Sequence, residues 1–330
     1  MTTVLRLTPD RPEPDLIADA AACLRRGGLV AFPTETVYGL GVAALDVAAV
    51  RRLFAAKGRP ADDPLIVHIA SPDALDPLVA ARPPAVAVLA ARFWPGPLTL
   101  VLRRSPLVPD EVTAGLDTVA IRVPAHPVAH ALLAAAGIPV AAPSANLFSR
   151  PSPTQAGHVL EDLDGRIDLV LDGGPTQVGV ESTVLDLSGD VPEVLRPGAV
   201  TLEMLRPLLP DVRMRVAAAA AGPQRSPGLL TKHYSPRAPL TLYEGPADRV
   251  LARIRHDASL AQASGRRVGL LLPDDDAAVT AARLYAALRE FDAAGVEEIF
   301  ASLPTTTDGL SHAVADRLRR AAAGRVVRCA

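Results

Sequence analysis

Amphipathic helical stretches and short apolar runs alternate along the chain, separated by polar loops rich in glycine and proline. Apolar residues at helical spacing predict helices, and short runs of valine, isoleucine and leucine between turn residues predict strands. The predicted helices cover residues 13–26, 46–56, 72–80, 84–93 and 127–136, with one more starting at Thr154. The predicted strands cover residues 29–32, 65–69, 98–102, 119–123, 138–142, 169–172, 182–187 and 193–195. Helices among many short strands indicate a mixed, twisted α/β sheet with flanking helices, and residues 34–41 are expected to be a polar loop.

The pattern changes beyond about residue 200. Residues 201–239 contain an alanine run and many glycines and prolines, a composition typical of a linker. From residue 240 strands and helices alternate, with strands at 268–272, 296–300 and 325–328 and helices at 277–294 and 309–323. This alternation predicts a smaller, parallel, Rossmann-like α/β domain, and no G-x-G-x-x-G motif supports dinucleotide binding there. We therefore expect two domains, 10–200 and 240–330, joined by the long linker 201–239.

The composition argues against several classes of protein. A hydrophobic content of 49% excludes a disordered tail protein. The net charge of −2 and an aromatic content of 3% argue against an extended nucleic-acid-binding surface. No apolar run reaches the roughly 18–20 residues that span a membrane, and the first residues lack a secretory apolar core, so a cytoplasmic protein is expected. The two cysteines, Cys23 and Cys329, predict neither a disulfide framework nor a metal site.

Candidate chemistry begins with a basic loop. Only Lys57 and Lys232 are lysines among the 34 lysine and arginine residues. Lys57 precedes Arg59 by two residues at a glycine-loosened helix end, and a compact ammonium beside a forked guanidinium suits phosphate oxygens. A solvated helix end is the ordinary alternative for such a loop. In a chain that prefers arginine, however, the lysine suggests that a compact cation is needed here.

Polar loops follow several of the predicted strands. Ser144 and Asn146 come directly after the strand 138–142, and Thr34 and Thr36 follow the strand 29–32. Open α/β sheets bind ligands beyond the carboxyl ends of their strands, so these loops predict a cleft. A turn in which serine and asparagine cap their own backbone is the alternative for the first loop.

Two residues within predicted strands are ambiguous on their own. His68 is more often a core residue than a ligand, and Arg122 either pairs with a buried carboxylate or holds a substrate carboxylate. The sequence contains no P-loop, nucleophile elbow or metal-binding motif. Cations, hydroxyls and amides without those motifs suit the binding of a polyphosphate together with a small zwitterion, which indicates a nucleotide-dependent transferase.

Five stretches of the sequence carry a stronger signal when they are taken together. They are Phe32-Pro-Thr-Glu-Thr-Val-Tyr-Gly-Leu-Gly41, Lys57-Gly-Arg-Pro60 with Pro64-Leu-Ile-Val-His68, Pro143-Ser-Ala-Asn146 with Arg150-Pro-Ser-Pro-Thr154, Glu181-Ser-Thr-Val184 and Leu195-Arg-Pro-Gly198. In sequence and in order they closely resemble the YrdC-type L-threonylcarbamoyladenylate synthases. The segment Ser226-Pro-Gly-Leu-Leu-Thr-Lys-His-Tyr-Ser-Pro236 and the domain after it resemble the long, two-domain form of that family.

The resemblance implies a nucleotidyltransferase that makes L-threonylcarbamoyl-AMP and pyrophosphate from ATP, L-threonine and bicarbonate or carbon dioxide. This reaction is the first step of tRNA threonylcarbamoyladenosine modification. In the implied mechanism the threonine amine takes up carbon dioxide, and the carbamate oxygen then attacks the α-phosphorus of ATP. Mg²⁺ is expected with ATP, and a downstream threonylcarbamoyl transferase is the expected partner. Neither membrane association nor strong direct nucleic-acid binding is expected.

The resemblance also implies roles for individual residues, which fall into three groups. The catalytic core comprises Lys57, Arg59, Ser144 and Asn146. The L-threonine site comprises Thr36, His68, Arg122, Ala142 and Ser182, with Arg122 facing the carboxylate. The ATP site comprises Arg59, Asp63, Thr118, Ser144, Ser152, Arg196 and Tyr234. Tyr234, in the linker, is expected to fold over the nucleotide as a lid that excludes water.

The chain departs from the family's usual pattern at two places. Asp63 stands where asparagine is common, and its carboxylate near the expected phosphates suggests either Mg²⁺ binding or a reoriented loop. Phe148-Ser149 stands where Ser-Gly is usual, so the backbone of that loop is expected to differ.

Two other functions fit parts of the sequence. An RNA-binding or ribosome-maturation factor with a YrdC-like fold would bind RNA with steep salt dependence and without nucleotide turnover, and the acidic net charge of −2 argues against it. A carbamoyl-adenylating domain of the hydrogenase-maturation kind would come with acylphosphatase and zinc-finger segments, and neither is recognised in the sequence.

Overall fold

The computed structural model describes residues 1–215, 224–226, 233–306 and 309–329. These residues form two compact units. The first unit combines residues 1–148 with the described residues between 152 and 226, and the second combines residues 149–151 with the described residues from 233 onward. Part of the predicted linker, including Lys232, lies outside the described residues.

A mixed sheet, which has eleven strands within the described residues, is the frame of the first unit. Its strands are β1 (Thr3–Arg6), β2 (Val30–Pro33), β3 (Tyr38–Ala43), β4 (Ile66–His68), β5 (Leu98–Arg103), β6 (Thr118–Arg122), β7 (Val140–Ala141), β8 (Leu169–Asp172), β9 (Thr183–Asp186), β10 (Glu193–Arg196) and β11 (Arg213–Met214). Their order is β1-β8-β2-β3-β7-β4-β6-β5-β9-β10-β11. Neighbours such as β4 and β6 are parallel, whereas β5 and β6 are antiparallel, which confirms the predicted mixed sheet.

Helices flank this sheet, and local sequence signals account for several of their ends. The helices are α1 (Pro14–Arg25), α2 (Val47–Lys57), α3 (Pro84–Phe93), α4 (Asp110–Thr113), α5 (Pro127–Ala136), α6 (Ala156–Leu163) and α7 (Leu202–Leu205). Asp46 caps α2 by accepting a hydrogen bond from the Ala49 amide. The helix predicted at 72–80 is a 3₁₀ helix, Pro72–Leu78, which contains Pro77, a residue without the N–H that an α-helical hydrogen bond needs.

Both faces of the sheet are buried at β2. Along β2, Val30 and Phe32 pack in one apolar cluster, and Ala31, which lies between them, packs in another. Successive strand residues point to opposite faces, so this division means that apolar side chains cover the strand on both sides. The loop that follows β2 therefore starts from a strand that is packed on both sides.

The structure corrects the prediction for residues 34–41. β3 begins at Tyr38 and pairs antiparallel with β2, so the second half of the expected loop is a strand. Glycine is rare in strands, which is why the pattern indicated a loop. At Gly41 a Cβ would lie 2.8 Å from the Phe32 ring and 2.9 Å from Val140, so glycine is needed for close packing of these strands.

The second unit contains a four-stranded parallel sheet in the order β13-β14-β12-β15, which confirms the predicted Rossmann-like alternation. Its elements are β12 (Leu240–Glu244), α8 (Ala247–Ala263), β13 (Val268–Leu271), α9 (Ala277–Ala293), β14 (Glu298–Ser302), α10 (Ser311–Ala322) and β15 (Val326–Arg328). Across the described parts of both units, no helix has the length and apolar character that crossing a membrane requires.

Candidate functional site

The sheet of the first unit brings residues of the predicted threonine site into one row. His68 on β4 lies opposite Arg122 on β6, and Arg122 lies opposite Thr99 on β5. Thr99 Oγ1 is 2.8 Å from Ser182 Oγ, and Arg122 Nη1 donates to Thr36 Oγ1 at 3.0 Å. Four predicted residues, from four separate segments of the chain, therefore belong to one connected group.

Ala142, the fifth predicted residue, follows β7. Its amide donates to the Ile66 carbonyl at 2.9 Å, which ties it to β4, two residues before His68. A Cβ on Gly39 would lie 3.4 Å from the Ala142 Cβ, so β3 also approaches closely. The backbone of Ala142 is thus fixed between strands that contribute to the same group.

Arg122 is buried, and its guanidinium is held on several sides. Nε donates to the Gly96 carbonyl at 3.2 Å, and Nη2 lies 2.8 Å from Glu35 Oε1. The other carboxylate oxygen of Glu35 accepts a hydrogen bond from the Ala125 amide at 3.1 Å. The buried carboxylate that the sequence left open for Arg122 is therefore Glu35. Glu35 was not predicted as a site residue, although it lies within the Phe32–Gly41 motif.

His68 is a neutral member of this group. Its burial, and secondarily the nearby Arg122 guanidinium, lower the pKa of His68 from 6.5 to about 3. Its Nδ1 is buried and has no hydrogen-bond partner among the described residues. The Nδ1 atom is therefore available to hydrogen-bond a ligand. Near neutral pH the imidazole adds no positive charge beside Arg122.

The neutral state of His68 predicts a loss of stability in mild acid. Below its ordinary pKa of 6.5 the unfolded chain binds a proton that the folded chain, with a pKa of about 3, does not bind. The free energy of unfolding should therefore fall by about 2 kcal/mol between pH 6.5 and pH 5 from this group alone. Chemical denaturation at several pH values measures the slope.

One variant tests this prediction and a second histidine of the same unit provides the control. His68→Gln should reduce the pH slope, whereas His130→Gln, at an exposed position on α5, should leave it unchanged. Burial also lowers the pKa of His126, which adds to the slope in wild type and in both variants. A His68→Gln slope equal to that of wild type would contradict the prediction.

Lys57 connects α2 to the loop after β7. It is the last residue of α2 and is 2% exposed, and its Nζ donates to the carbonyls of Ser144 and Asn146, each at 2.5 Å. Gly58 ends the helix with φ +61°, a left-handed conformation that suits glycine and turns the chain toward Arg59. Three members of the predicted catalytic core are therefore in direct contact.

Arg59 and Asp63 form a buried ion pair inside the basic loop. Arg59 Nη2 lies 2.9 Å from Asp63 Oδ2 and donates to the Pro64 carbonyl at 2.8 Å. Burial raises the pKa of Asp63, and the Arg59 guanidinium opposes that shift. Thr118 is buried at the start of β6, the strand that pairs with β4 directly after this loop. The unusual carboxylate at position 63 thus holds the side chain of Arg59.

A second network contains the remaining residues that are predicted to bind ATP within this unit. Ser152 Oγ donates to Glu181 Oε1 at 2.6 Å. Arg196 donates to the Ser182 carbonyl from Nε at 3.1 Å and to Ser182 Oγ from Nη2 at 3.2 Å. At Gly198 a Cβ would lie 2.4 Å from the Thr183 amide nitrogen, so glycine lets this turn pack tightly. Glu181 was not predicted as a site residue.

Tyr234 lies in the second unit and is buried, with a left-handed φ of +59°. Its ring centroid is 5.4 Å from that of Tyr285 on α9, and the Arg317 guanidinium carbon of α10 lies 5.4 Å from the ring centroid. These contacts anchor the tyrosine to the helices of its own unit. Its role as a nucleotide lid stays a prediction.

Ser149, one of the two residues at which the loop departs from the family's usual Ser-Gly, has a backbone conformation that favours glycine. Its φ is +67°, in the left-handed region, and its carbonyl accepts a hydrogen bond from the Ser235 amide at 2.8 Å. Only glycine adopts this conformation without steric cost, which is a physical reason for the usual glycine at this place. The loop backbone therefore needs a glycine-like conformation despite the serine.

Comparisons with known proteins identify the family of the chain. A family model for Sua5, YciO and YrdC proteins, described as "Telomere recombination", matches residues 22–198, and one described as "Threonylcarbamoyl-AMP synthase, C-terminal domain" matches residues 200–323.

Threonylcarbamoyl-AMP synthase of Bacillus subtilis is 47% identical, covering 94% of each chain. That of Pyrococcus abyssi is 44% identical, covering 99% of this chain and all of its own. A crystal structure of P. abyssi Sua5 complexed with L-threonine matches with a TM-score of 0.94 at 43% identity over the full length of both chains. The chain therefore belongs to the Sua5/YrdC family of threonylcarbamoyl-AMP synthases, in its two-domain form.

Proposed function

We propose that this protein synthesises L-threonylcarbamoyl-AMP from L-threonine, bicarbonate or carbon dioxide, and ATP, and releases pyrophosphate. One observation carries the proposal: Ser182 joins the Arg122 group, through Thr99, to Arg196. Predicted residues for threonine and for ATP are thereby connected through a single side chain. The crystal structure of the P. abyssi relative with L-threonine supports an amino-acid substrate for this site.

On the threonine side, Arg122 receives the substrate carboxylate, and the hydroxyls of Thr36 and Ser182 complete a polar pocket. A guanidinium in a buried site binds a carboxylate strongly because little water competes for it. His68, being neutral, can hydrogen-bond the substrate without attracting a second anion. The neutral substrate amine attacks carbon dioxide and releases a proton to water, which gives a carbamate. A carbamate oxygen then attacks the α-phosphorus, and the bond from that phosphorus to pyrophosphate breaks.

On the nucleotide side, Arg59, Arg196 and the Lys57 loop stabilise the charge that develops at the α-phosphorus when the carbamate attacks. Lys57 acts on the loop directly, because its two hydrogen bonds fix the backbone from which the side chains of Ser144 and Asn146 project. Donors that are already in place when the reaction begins need no reorganisation, which is the main source of such stabilisation. Tyr234 is proposed to cover the nucleotide and exclude water from the activated product.

Mg²⁺ fits this site as a companion of ATP. The described residues contain no group of three or more histidine, cysteine or acidic side chains placed to hold a metal ion. Mg²⁺ commonly relies on substrate phosphates and water for most of its coordination, and when bound it would neutralise charge on those phosphates. Asp63 is engaged by Arg59, so we propose that it orients that arginine instead of supplying a metal ligand.

The product is an activated acyl-phosphate anhydride, which a second enzyme must consume. We infer that a threonylcarbamoyl transferase receives it and modifies tRNA in the cytoplasm. Direct RNA binding by this chain and adenylation of carbamate without threonine are the competing functions.

An omission assay tests the proposed function. Pyrophosphate release from ATP should require both L-threonine and bicarbonate, and the nucleotide product should carry a threonylcarbamoyl group by mass spectrometry. Release that continues without L-threonine would favour carbamate adenylation instead. Salt-sensitive RNA binding without any pyrophosphate release would favour the RNA-binding function.

A further inference from the structure

The predicted threonine site carries charge of only one sign. Arg122 is positive, whereas Thr36, Ser182 and Ala142 are neutral, and His68 is neutral because its pKa is about 3. A free amino acid brings a carboxylate and an ammonium on the same carbon atom. Burial of an ammonium without an anionic partner is strongly unfavourable. The five predicted residues therefore offer the ammonium hydrogen-bond acceptors but no negative charge.

Glu35 supplies a negative charge at this place. It is 7% exposed, and its Oε1 lies 2.8 Å from Arg122 Nη2, although neither atom makes a well-aligned hydrogen bond within the described residues. An ionised carboxylate has about four acceptor positions, and the Ala125 amide occupies one of them. Both members of the ion pair thus retain hydrogen-bonding capacity for a ligand.

We propose that Glu35 and Arg122 together bind the zwitterion. Arg122 donates to the carboxylate of the amino acid, and Glu35 Oε1 accepts a hydrogen bond from its α-ammonium. The opposite polarity of two neighbouring protein groups matches that of the two groups on the α-carbon. This inference rests on the proposed threonine-dependent function. It makes Glu35 the residue that selects an α-amino acid over the same carboxylic acid without the amine.

The competing explanation is that Glu35 only positions Arg122. The guanidinium is also held by Thr36 and by the Gly96 carbonyl, so it has other restraints. A purely positioning residue would affect every ligand that uses Arg122, whereas an ammonium acceptor would affect only ligands that carry the amine. Two ligands that differ only in that group therefore separate the two explanations.

The test is a ligand-observed NMR titration with L-threonine and with (R)-β-hydroxybutyrate, which keeps the carboxylate, hydroxyl and methyl groups but lacks the amine. Glu35→Gln should weaken L-threonine binding by about 10–100-fold, the usual effect of losing a charged hydrogen-bond partner, and leave hydroxybutyrate binding unchanged. Glu111→Gln, at a carboxylate that pairs with Arg51 near the surface, is the matched control and should change neither affinity.

Each outcome either supports or overturns the proposal. Equal losses for both ligands, or unchanged L-threonine binding, would overturn it while leaving the proposed function intact. A wild-type protein that does not bind L-threonine would instead refute the proposed function itself. If Glu35→Gln fails to fold by circular dichroism, Glu35→Asp replaces it: this variant keeps the charge but withdraws it by one methylene group. Glu35→Asp should still weaken the binding of L-threonine and leave that of hydroxybutyrate unchanged. Equal losses of affinity for both ligands would overturn the proposal.

Discussion

Replacing Lys57 by alanine is expected to lower kcat/KM for threonylcarbamoyl-AMP synthesis by about 10²–10³-fold, the usual cost of losing a preorganised polar group in an active site. The ammonium is buried and donates to the carbonyls of Ser144 and Asn146. Without it, these carbonyls lose a charged donor, and the loop keeps only the backbone hydrogen bond from the Phe148 amide to the Lys57 carbonyl as a link to the end of α2. Pyrophosphate release at saturating and limiting ATP measures the effect.

Arg51→Ala is the matched control for this prediction, because it removes an exposed cation from the same helix. It should retain nearly full activity. Lys57→Arg tests whether charge alone is sufficient: a planar guanidinium cannot reproduce two short contacts from one nitrogen, so activity should remain low. A folded Lys57→Ala variant with near-normal activity would remove Lys57 from the proposed machinery.

Replacing Arg122 by methionine should destabilise the protein by about 3–5 kcal/mol, the typical cost of leaving one partner of a buried ion pair without its counter-charge. Glu35 would keep its buried carboxylate and lose the guanidinium that lies 2.8 Å away. Thr36 and the Gly96 carbonyl would lose their donors as well. The free energy of unfolding, from urea denaturation at neutral pH, measures the loss.

A surface ion pair on the neighbouring strand provides the comparison. Arg103 on β5 pairs with Asp117 at an exposed position, and Arg103→Met should cost about 1 kcal/mol or less. The double variant Glu35→Gln/Arg122→Met should recover part of the stability that Arg122→Met loses, since the buried charge is then gone. If Arg122→Met and Arg103→Met lowered the free energy of unfolding equally, the buried Arg122–Glu35 pair would be no more important for stability than the surface pair, which would contradict the prediction.

Helices that are marked by their own sequence, through an N-terminal proline and helical spacing of apolar residues, could be predicted. A strand whose residues are determined by packing against neighbouring strands could not. α3 and α5 match their predicted ranges, because each begins with a proline suited to the first turn and continues with apolar residues at helical spacing. β3 was missed because its glycines are required by the packing of Phe32 and Val140, which only the assembled sheet reveals.

Some residues of the candidate site could likewise be predicted from the sequence, and others could not. Lys57 was visible as a rare lysine beside an arginine, and Arg122 as a charge in an apolar strand, because both contrast with their sequence neighbours. Glu35 and Glu181 carry no such contrast, since each is followed directly by a hydroxyl-bearing residue in a loop. Their partners, Arg122 and Ser152, are distant in sequence, so only tertiary contacts identify them.

The shared position of Ser182 also bears on how the two substrates affect one another. Its hydroxyl touches Thr99 on one side and Arg196 on the other, so a shift that accommodates a ligand on either side moves groups on both. On the proposed function, we therefore expect the affinities for L-threonine and ATP to be linked, and linkage is reciprocal: each substrate would change the dissociation constant of the other by the same factor. Ser182→Ala should weaken this coupling, because Arg196 would then contact only the backbone at position 182, and the dissociation constant of each substrate with and without the other measures the change.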